Sequence, residues 1–122
     1  MRLAHTMIFV KDLPRMTAFY AETLGLKPVE ATRLENYVEF EAGPVTFALH
    51  AIPAQIAEQV VIATPPQPRE QNPMKLTFEV DDLATERTRL EALGVTILDR
   101  PWGSWDAVDP EGNVFGVCSS AK

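Results

Sequence analysis

HTMIFVKDL, from His5 to Leu13, and KLTFEVDDL, from Lys75 to Leu83, are two stretches of one repeated sequence, 70 residues apart. Three identical pairs align: Val10 with Val80, Asp12 with Asp82, and Leu13 with Leu83. Each stretch is rich in apolar and β-branched residues up to its valine, which predicts a strand. A helical pattern follows and ends in Leu-Gly in both copies. Two copies of one unit therefore account for most of the chain.

Capping and turn residues predict the order of elements in each copy. Asp12 and Asp82 precede the helices, where a carboxylate can accept an otherwise unpaired backbone N–H. Three short strand patterns follow each helix, and the last two are separated by Gly43-Pro44 in one copy and Asp109 to Asn113 in the other. The predicted fold class is α+β, two tandem βαβββ modules. We place module one at residues 1–50, a linker with five of the ten prolines at 51–73, and module two at 74–122.

Length, charge and cysteine content narrow the function classes. A chain of 122 residues is enough for one domain. The net charge of −6 disfavours binding to nucleic acid or to an anionic membrane surface, so we expect neither partner. A single cysteine, Cys118, cannot form an internal disulfide. No signal-peptide or membrane-spanning apolar run is present, which leads us to expect a cytoplasmic protein.

The paired units resemble the vicinal oxygen chelate superfamily, which includes glyoxalase I, extradiol dioxygenases and bleomycin-resistance proteins. The matching segments are His5, Val10-Lys11-Asp12-Leu13, Phe19-Tyr20, Leu24-Gly25-Leu26, Phe78-Glu79-Val80-Asp81-Asp82-Leu83, Leu93-Gly94-Val95, Trp102-Gly103 and Asp109-Pro110-Glu111-Gly112-Asn113-Val114-Phe115. The resemblance implies that the two sheets curl into an incomplete barrel around a cleft. It also implies a homodimer.

Metal-dependent members of that superfamily carry ligands on the first and last strand of each module. The resemblance places those positions at His5, Lys75, Phe47 and Gly116. Only His5 has a suitable side chain, because a protonated lysine has no lone pair and the other two have no donor. One imidazole is too few for a specific site, which usually has three or four protein ligands. We therefore expect neither a divalent metal nor another cofactor.

The resemblance also implies which side chains line the cleft. Strand alternation places His5 and Met7 on one face of the first strand, and Lys75 on the matching face of the second module. The predicted ligand-binding residues are His5, Met7, Tyr37, Phe47, Lys75, Trp102 and Trp105. Alternatives remain open at this stage. Lys75 can bind an anion, extend to solvent, or pair with Glu39 or Glu79. The tryptophans can stack on a planar ligand or lie at a dimer interface.

Three functions are compatible with these residues. The leading hypothesis is a glyoxalase/bleomycin-resistance-like protein that binds a small aromatic or anionic molecule without a metal. The alternative is an enzyme of lyase, isomerase or dioxygenase type. In it, His5 is a metal ligand or a general base and Lys75 stabilises an anion, so these two are the catalytic candidates. A third hypothesis is a regulatory or structural dimer.

Overall fold

The computed structural model describes residues 1–120, and its chain divides into two compact units. The first is Met1–Val61, and the second begins at Ile62. Each contains one mixed four-stranded sheet. The predicted α+β class and the two tandem modules are confirmed. The barrel with its cleft, and the module boundaries at residues 50 and 74, stay predictions.

The first unit follows the predicted order. Its elements are β1 (His5–Val10), α1 (Leu13–Ala18), a π-helical turn (Phe19–Thr23), β2 (Lys27–Pro28), a 3-10 turn (Glu30–Thr32), β3 (Tyr37–Ala42), β4 (Val45–Ala51) and α2 (Ala54–Ala57). The sheet order is β1-β4-β3-β2, with β1 parallel to β4 and the other pairs antiparallel. A strand-helix start therefore leads into a meander that returns beside the first strand.

The second unit repeats this topology. Its elements are β5 (Leu76–Val80), α3 (Leu83–Ala92), β6 (Ile97–Asp99), β7 (Trp105–Val108) and β8 (Val114–Ser119). The sheet order is β5-β8-β7-β6, and β5 is parallel to β8. The sheets of the two units thus have the same strand order and the same strand directions.

Both helices begin at the predicted aspartates. The Asp12 carboxylate accepts a hydrogen bond from the Arg15 N–H at 3.1 Å, and the Asp82 carboxylate accepts one from the Thr85 N–H at 2.8 Å. The bond from Thr85 holds the pKa of the Asp82 carboxyl below its usual range. Gly94 ends α3 with φ of 83°, a conformation that glycine adopts without strain.

Two elements of the first unit, β2 and α2, are very short. β2 has only two residues, because the chain then turns through Glu30–Thr32. α2 has four residues and ends at Ala57.

Phe47 belongs to the core of the first unit, and its predicted position beside His5 is wrong. In the register of β1 and β4, Phe47 is the partner of Thr6, so it lies on the opposite face from His5. Its side chain is 3% exposed, and its ring centroid lies 4.9 Å from that of Tyr20. The prediction aligned Phe47 with Gly116, whereas the register matches Ala48 with Gly116. An error of one residue in a strand reverses the face.

Candidate functional site

The sheet face of the second unit that points away from α3 carries a row of three register partners. Thr77 on β5 is the partner of Gly116 on β8, and Gly116 is the partner of Asp106 on β7. Paired residues on neighbouring strands place their side chains on the same face. Lys75 lies on this face as well, one residue before β5 begins.

Gly116 leaves room for the side chains of its neighbours. A Cβ atom there would lie 2.9 Å from Thr77 Oγ1 and 3.3 Å from Asp106 Oδ1. A larger residue at this position would displace both. The space beside the last strand is therefore taken by the carboxylate of Asp106 rather than by a side chain of position 116.

Four side chains of alternating charge form a continuous chain of ion pairs across this face. Lys75 Nζ lies 3.3 Å from Asp106 Oδ1, and Arg100 Nε donates to Asp106 Oδ2 at 2.9 Å. Arg100 Nη1 and Nη2 then donate to the two oxygens of Glu70 at 2.8 and 2.9 Å. We call these four residues the charged cluster. Two cations and two anions make it neutral overall.

The middle of the charged cluster is buried, and both of its ends are exposed. The Asp106 side chain is 5% exposed, whereas that of Lys75 is 49% exposed and that of Glu70 is 54% exposed. The guanidinium of Arg100 lowers the pKa of the Glu70 carboxyl through its hydrogen bonds. The hydrogen bonds that Arg100 donates to Glu70 and Asp106 in turn raise the pKa of its guanidinium. Both shifts favour the charged forms of Glu70 and Arg100.

An open pocket of about 380 Å³ lies over the charged cluster. Its lining residues are Arg69, Glu70, Asn72, Met74, Lys75, Arg100, Trp102, Asp106 and Val114. Trp102 is 72% exposed, so most of its ring is available for contact. The pocket combines a large aromatic surface with an accessible ammonium group, which suits a small planar molecule that carries an anionic group.

Lys75 and Trp102, both predicted site residues, thus line one pocket, but Trp105 does not. Trp105 is the partner of Asp99 in the register of β6 and β7 and lies one residue from Asp106, so its side chain is on the opposite face. The guanidinium carbon of Arg87, on α3, lies 5.9 Å from the centre of its ring. Trp105 therefore lies outside the pocket that Trp102 lines, and its predicted role in ligand binding stays a prediction. Within the second unit, Lys75 pairs with Asp106 rather than with Glu79.

The remaining predicted residues lie on the first unit. His5 and Met7 are exposed on β1, on the face opposite to Phe47. Tyr37 is on the same face, with its ring centroid 6.1 Å from that of His50. Burial and a hydrogen bond to the Glu39 carboxylate raise the pKa of the Tyr37 phenol. That these residues share a ligand with Lys75 stays a prediction.

The donor set of the second unit does not fit a metal ion. Lys75 brings a positive charge to the first-strand position, and Gly116 has no donor on the last strand. Asp106, the only carboxylate of the central row, is held by two cationic side chains. Across residues 1–120, no three His, Cys, Asp or Glu side chains group so that they could hold a metal. In the same range no helix is long and apolar enough to cross a membrane.

Sequence reasoning missed Asp106, Arg100 and Glu70. For Asp106 a signal exists, because folding the hairpin about the five-residue turn at Asp109 to Asn113 pairs Asp106 with Gly116. Arg100 lies in the loop after β6, and Glu70 lies in a turn before β5. The 30 residues that separate these two leave no periodic pattern that could bring them together.

Comparison with known proteins identifies the family to which this chain belongs. The family described as Glyoxalase/Bleomycin resistance protein/Dioxygenase superfamily matches residues 2–117. A solved structure of lactoylglutathione lyase from Agrobacterium tumefaciens is 27% identical. The match covers 98% of this chain and 93% of that one, with a TM-score of 0.66. A protein of unknown function from A. tumefaciens strain C58 is 28% identical over 98% and 94%, with a TM-score of 0.70.

A more distant structure has the same fold. A fosfomycin resistance protein from Mesorhizobium loti is 21% identical over 95% of this chain and 89% of that chain, with a TM-score of 0.63. At this level of identity the likeness extends to the fold alone. Among curated protein sequences, none matches significantly.

Proposed function

Because the chain belongs to the glyoxalase/bleomycin resistance protein/dioxygenase superfamily, we propose that it binds a small molecule and does so without a metal ion. The ligand is a small aromatic molecule with an anionic group. It binds in the pocket over the charged cluster of the second unit. Its ring stacks on Trp102, and its anionic group lies beside the Lys75 ammonium.

The observation that carries this proposal is the ion pair of Lys75 with Asp106 inside the pocket. Asp106 is almost fully buried, so it holds the ammonium at a defined place, while half of the Lys75 side chain remains exposed. An ammonium has three N–H donors, and a single carboxylate does not occupy all of them. The ligand's anion can therefore be bound without breaking the pair.

A built-in cation also fits the absence of metal ligands at the first-strand and last-strand positions of the second unit, Lys75 and Gly116. A metal in such a site would polarise or bind an oxygen atom of the ligand. The Lys75 ammonium supplies a positive charge and hydrogen-bond donors to the same kind of atom. It does not supply the open coordination positions that metal-dependent chemistry requires, which favours binding over catalysis.

The test is a fluorescence titration with benzoate in a Trp105→Phe background, so that Trp102 is the only tryptophan. We expect Trp102 emission to change with a dissociation constant on the order of 1 mM, as suits a ligand of this size. Lys75→Met should weaken binding about tenfold. Asp106 keeps Arg100 as a partner in this variant, so the fold is maintained.

Lys27→Met is the matched control, because it removes one exposed lysine from β2 of the first unit. It should bind benzoate as the parent protein does. Equal weakening in the two lysine variants would mean that only the overall charge matters. No change of emission with benzoate, in a protein whose Tm is intact, would contradict the proposal.

The enzyme alternative rests on the exposure of His5 at the start of β1. A related solved structure is named a lactoylglutathione lyase, so lactoylglutathione is the compound to assay. Turnover that disappears in His5→Ala would favour the enzyme. The homodimer stays a prediction as well, and light scattering of the purified protein tests it.

A further inference from the structure

The Arg100–Glu70 pair has the form of a carboxylate bound by a recognition site. Arg100 Nε is fixed by the buried Asp106, and this contact orients the two Nη groups towards the pocket. The two Nη groups then donate to both oxygens of Glu70, which is a bidentate arrangement. Guanidinium groups recognise free carboxylates with the same geometry.

The two halves of this pair differ in how firmly they are held. The Arg100 side chain is 16% exposed, and its Nε contacts Asp106 through an atom that Glu70 does not use. Glu70 lies in the turn between Arg69 and Asn72, outside any strand or helix, and its side chain is 54% exposed. A bidentate pair of this kind is stronger than an isolated surface pair, but about half of the Glu70 side chain is already exposed to solvent. An incoming carboxylate can therefore replace that of Glu70 while the contact with Asp106 keeps the guanidinium in place.

We propose that Arg100 is the carboxylate-binding group of the pocket and that Glu70 is its internal occupant, which an incoming ligand carboxylate displaces. Lys75, bound to the same Asp106, contacts the ligand from the other side. The ligand class is a planar aromatic carboxylate, since Trp102 lines the same pocket. This inference rests on the proposed function and adds which residue competes with the ligand.

An internal competitor lowers the apparent affinity in proportion to the fraction of molecules in which it occupies the site. Glu70→Gln keeps the size of the side chain but removes its charge. We expect benzoate to bind about five- to tenfold more tightly to this variant. Benzamide, a neutral molecule of the same shape, should bind equally to both proteins. Glu70→Ala should behave like Glu70→Gln, which guards against an amide that still bonds to Arg100.

Glu35→Gln is the matched control, because Glu35 is an exposed glutamate of the first unit and the variant has the same net charge. An equal gain in Glu35→Gln and Glu70→Gln would overturn the inference. The double variant Glu70→Gln with Arg100→Lys should lose the gain, because lysine keeps the charge but not the two-pronged geometry. A gain that persists in the double variant would also overturn it.

The two proposals fail in different ways. Benzoate binding that Lys75→Met weakens but Glu70→Gln leaves unchanged would overturn the role of Glu70 and leave the proposed function standing. Absence of benzoate binding in the parent protein and in both Glu70 variants would overturn both proposals.

Discussion

Each of the two units has a carboxylate at the equivalent position of its sheet, but the side chains around that carboxylate differ. Glu39 is the register partner of Ala48 in the first unit, and Asp106 is the register partner of Gly116 in the second. Glu39 hydrogen-bonds to a neutral phenol, whereas Asp106 is held by two cations. The same sheet topology thus holds a carboxylate beside a neutral phenol in one unit and beside two cations in the other. The neighbouring side chains determine this difference.

The largest losses of stability that substitution should produce lie in the two cores. Phe47 and Phe115 occupy matching positions, and both are buried. We expect Phe47→Ala to reduce the free energy of unfolding by about 4 kcal/mol and Phe115→Ala by about 3 kcal/mol. The first contacts two aromatic rings, those of Tyr20 and Phe40. Urea denaturation measures both values. A loss below about 1 kcal/mol for Phe47→Ala would contradict the burial of Phe47 in the core.

The next largest effect concerns the two carboxylates, Asp106 and Glu39, which should differ in their contribution to stability. Asp106→Ala leaves Arg100 and Lys75 without their shared partner, and we expect it to destabilise the protein by about 2 kcal/mol. Glu39→Ala removes the register counterpart and should cost less than about 1 kcal/mol. Thermal unfolding of the two variants tests the comparison. Equal losses would mean that the charged cluster stabilises the fold no more than the Glu39 contact does.

The small residues between the strands provide a third test. Gly116→Ala introduces a methyl group against Thr77 and Asp106, and we expect a loss of about 1 kcal/mol. Thr77→Ala should restore part of this loss, because it removes the nearest atom. Ala48→Gly, at the matching position, should also destabilise, since it deletes buried contact and adds backbone freedom. A stabilising Gly116→Ala would contradict the close packing of the row.

The smallest effect concerns the pH response of the first unit. The pKa of Tyr37 is raised above its ordinary value, which is near 10. A raised pKa favours the neutral phenol in the folded state. Its contribution to stability is therefore complete below the unfolded pKa and is lost as pH rises through the folded pKa. Glu39→Gln should lower the Tyr37 pKa, as measured by the ultraviolet absorbance of the phenolate. An unchanged titration would exclude the Glu39 contact.

Sequence reasoning worked where local chemistry decides and failed where register does. Asp12 and Asp82 cap helices by contacts within three residues, so their roles are visible in the chain. The face of Phe47 depends on hairpin length. The first unit has a two-residue turn after Ala42, and the second has a five-residue turn after Val108. That difference changes the alignment of the last strands and reverses the predicted face.

The charged cluster could not be predicted from the sequence for a related reason. Lys75 was found through the repeat and Trp102 through the family motif, but their ionic surroundings come from turns and loops. Arg100 and Glu70 are brought together by the way two irregular segments pack, and no periodicity encodes that contact.

The most direct test of the central claim is calorimetric titration of the parent protein with benzoate after exhaustive treatment with EDTA, with Lys75→Met measured in parallel. If the Lys75 ammonium is the cation of the site, EDTA leaves the affinity unchanged and Lys75→Met weakens it about tenfold. If EDTA abolishes binding and a divalent metal restores it, the account is contradicted, because the site would then depend on a metal ion.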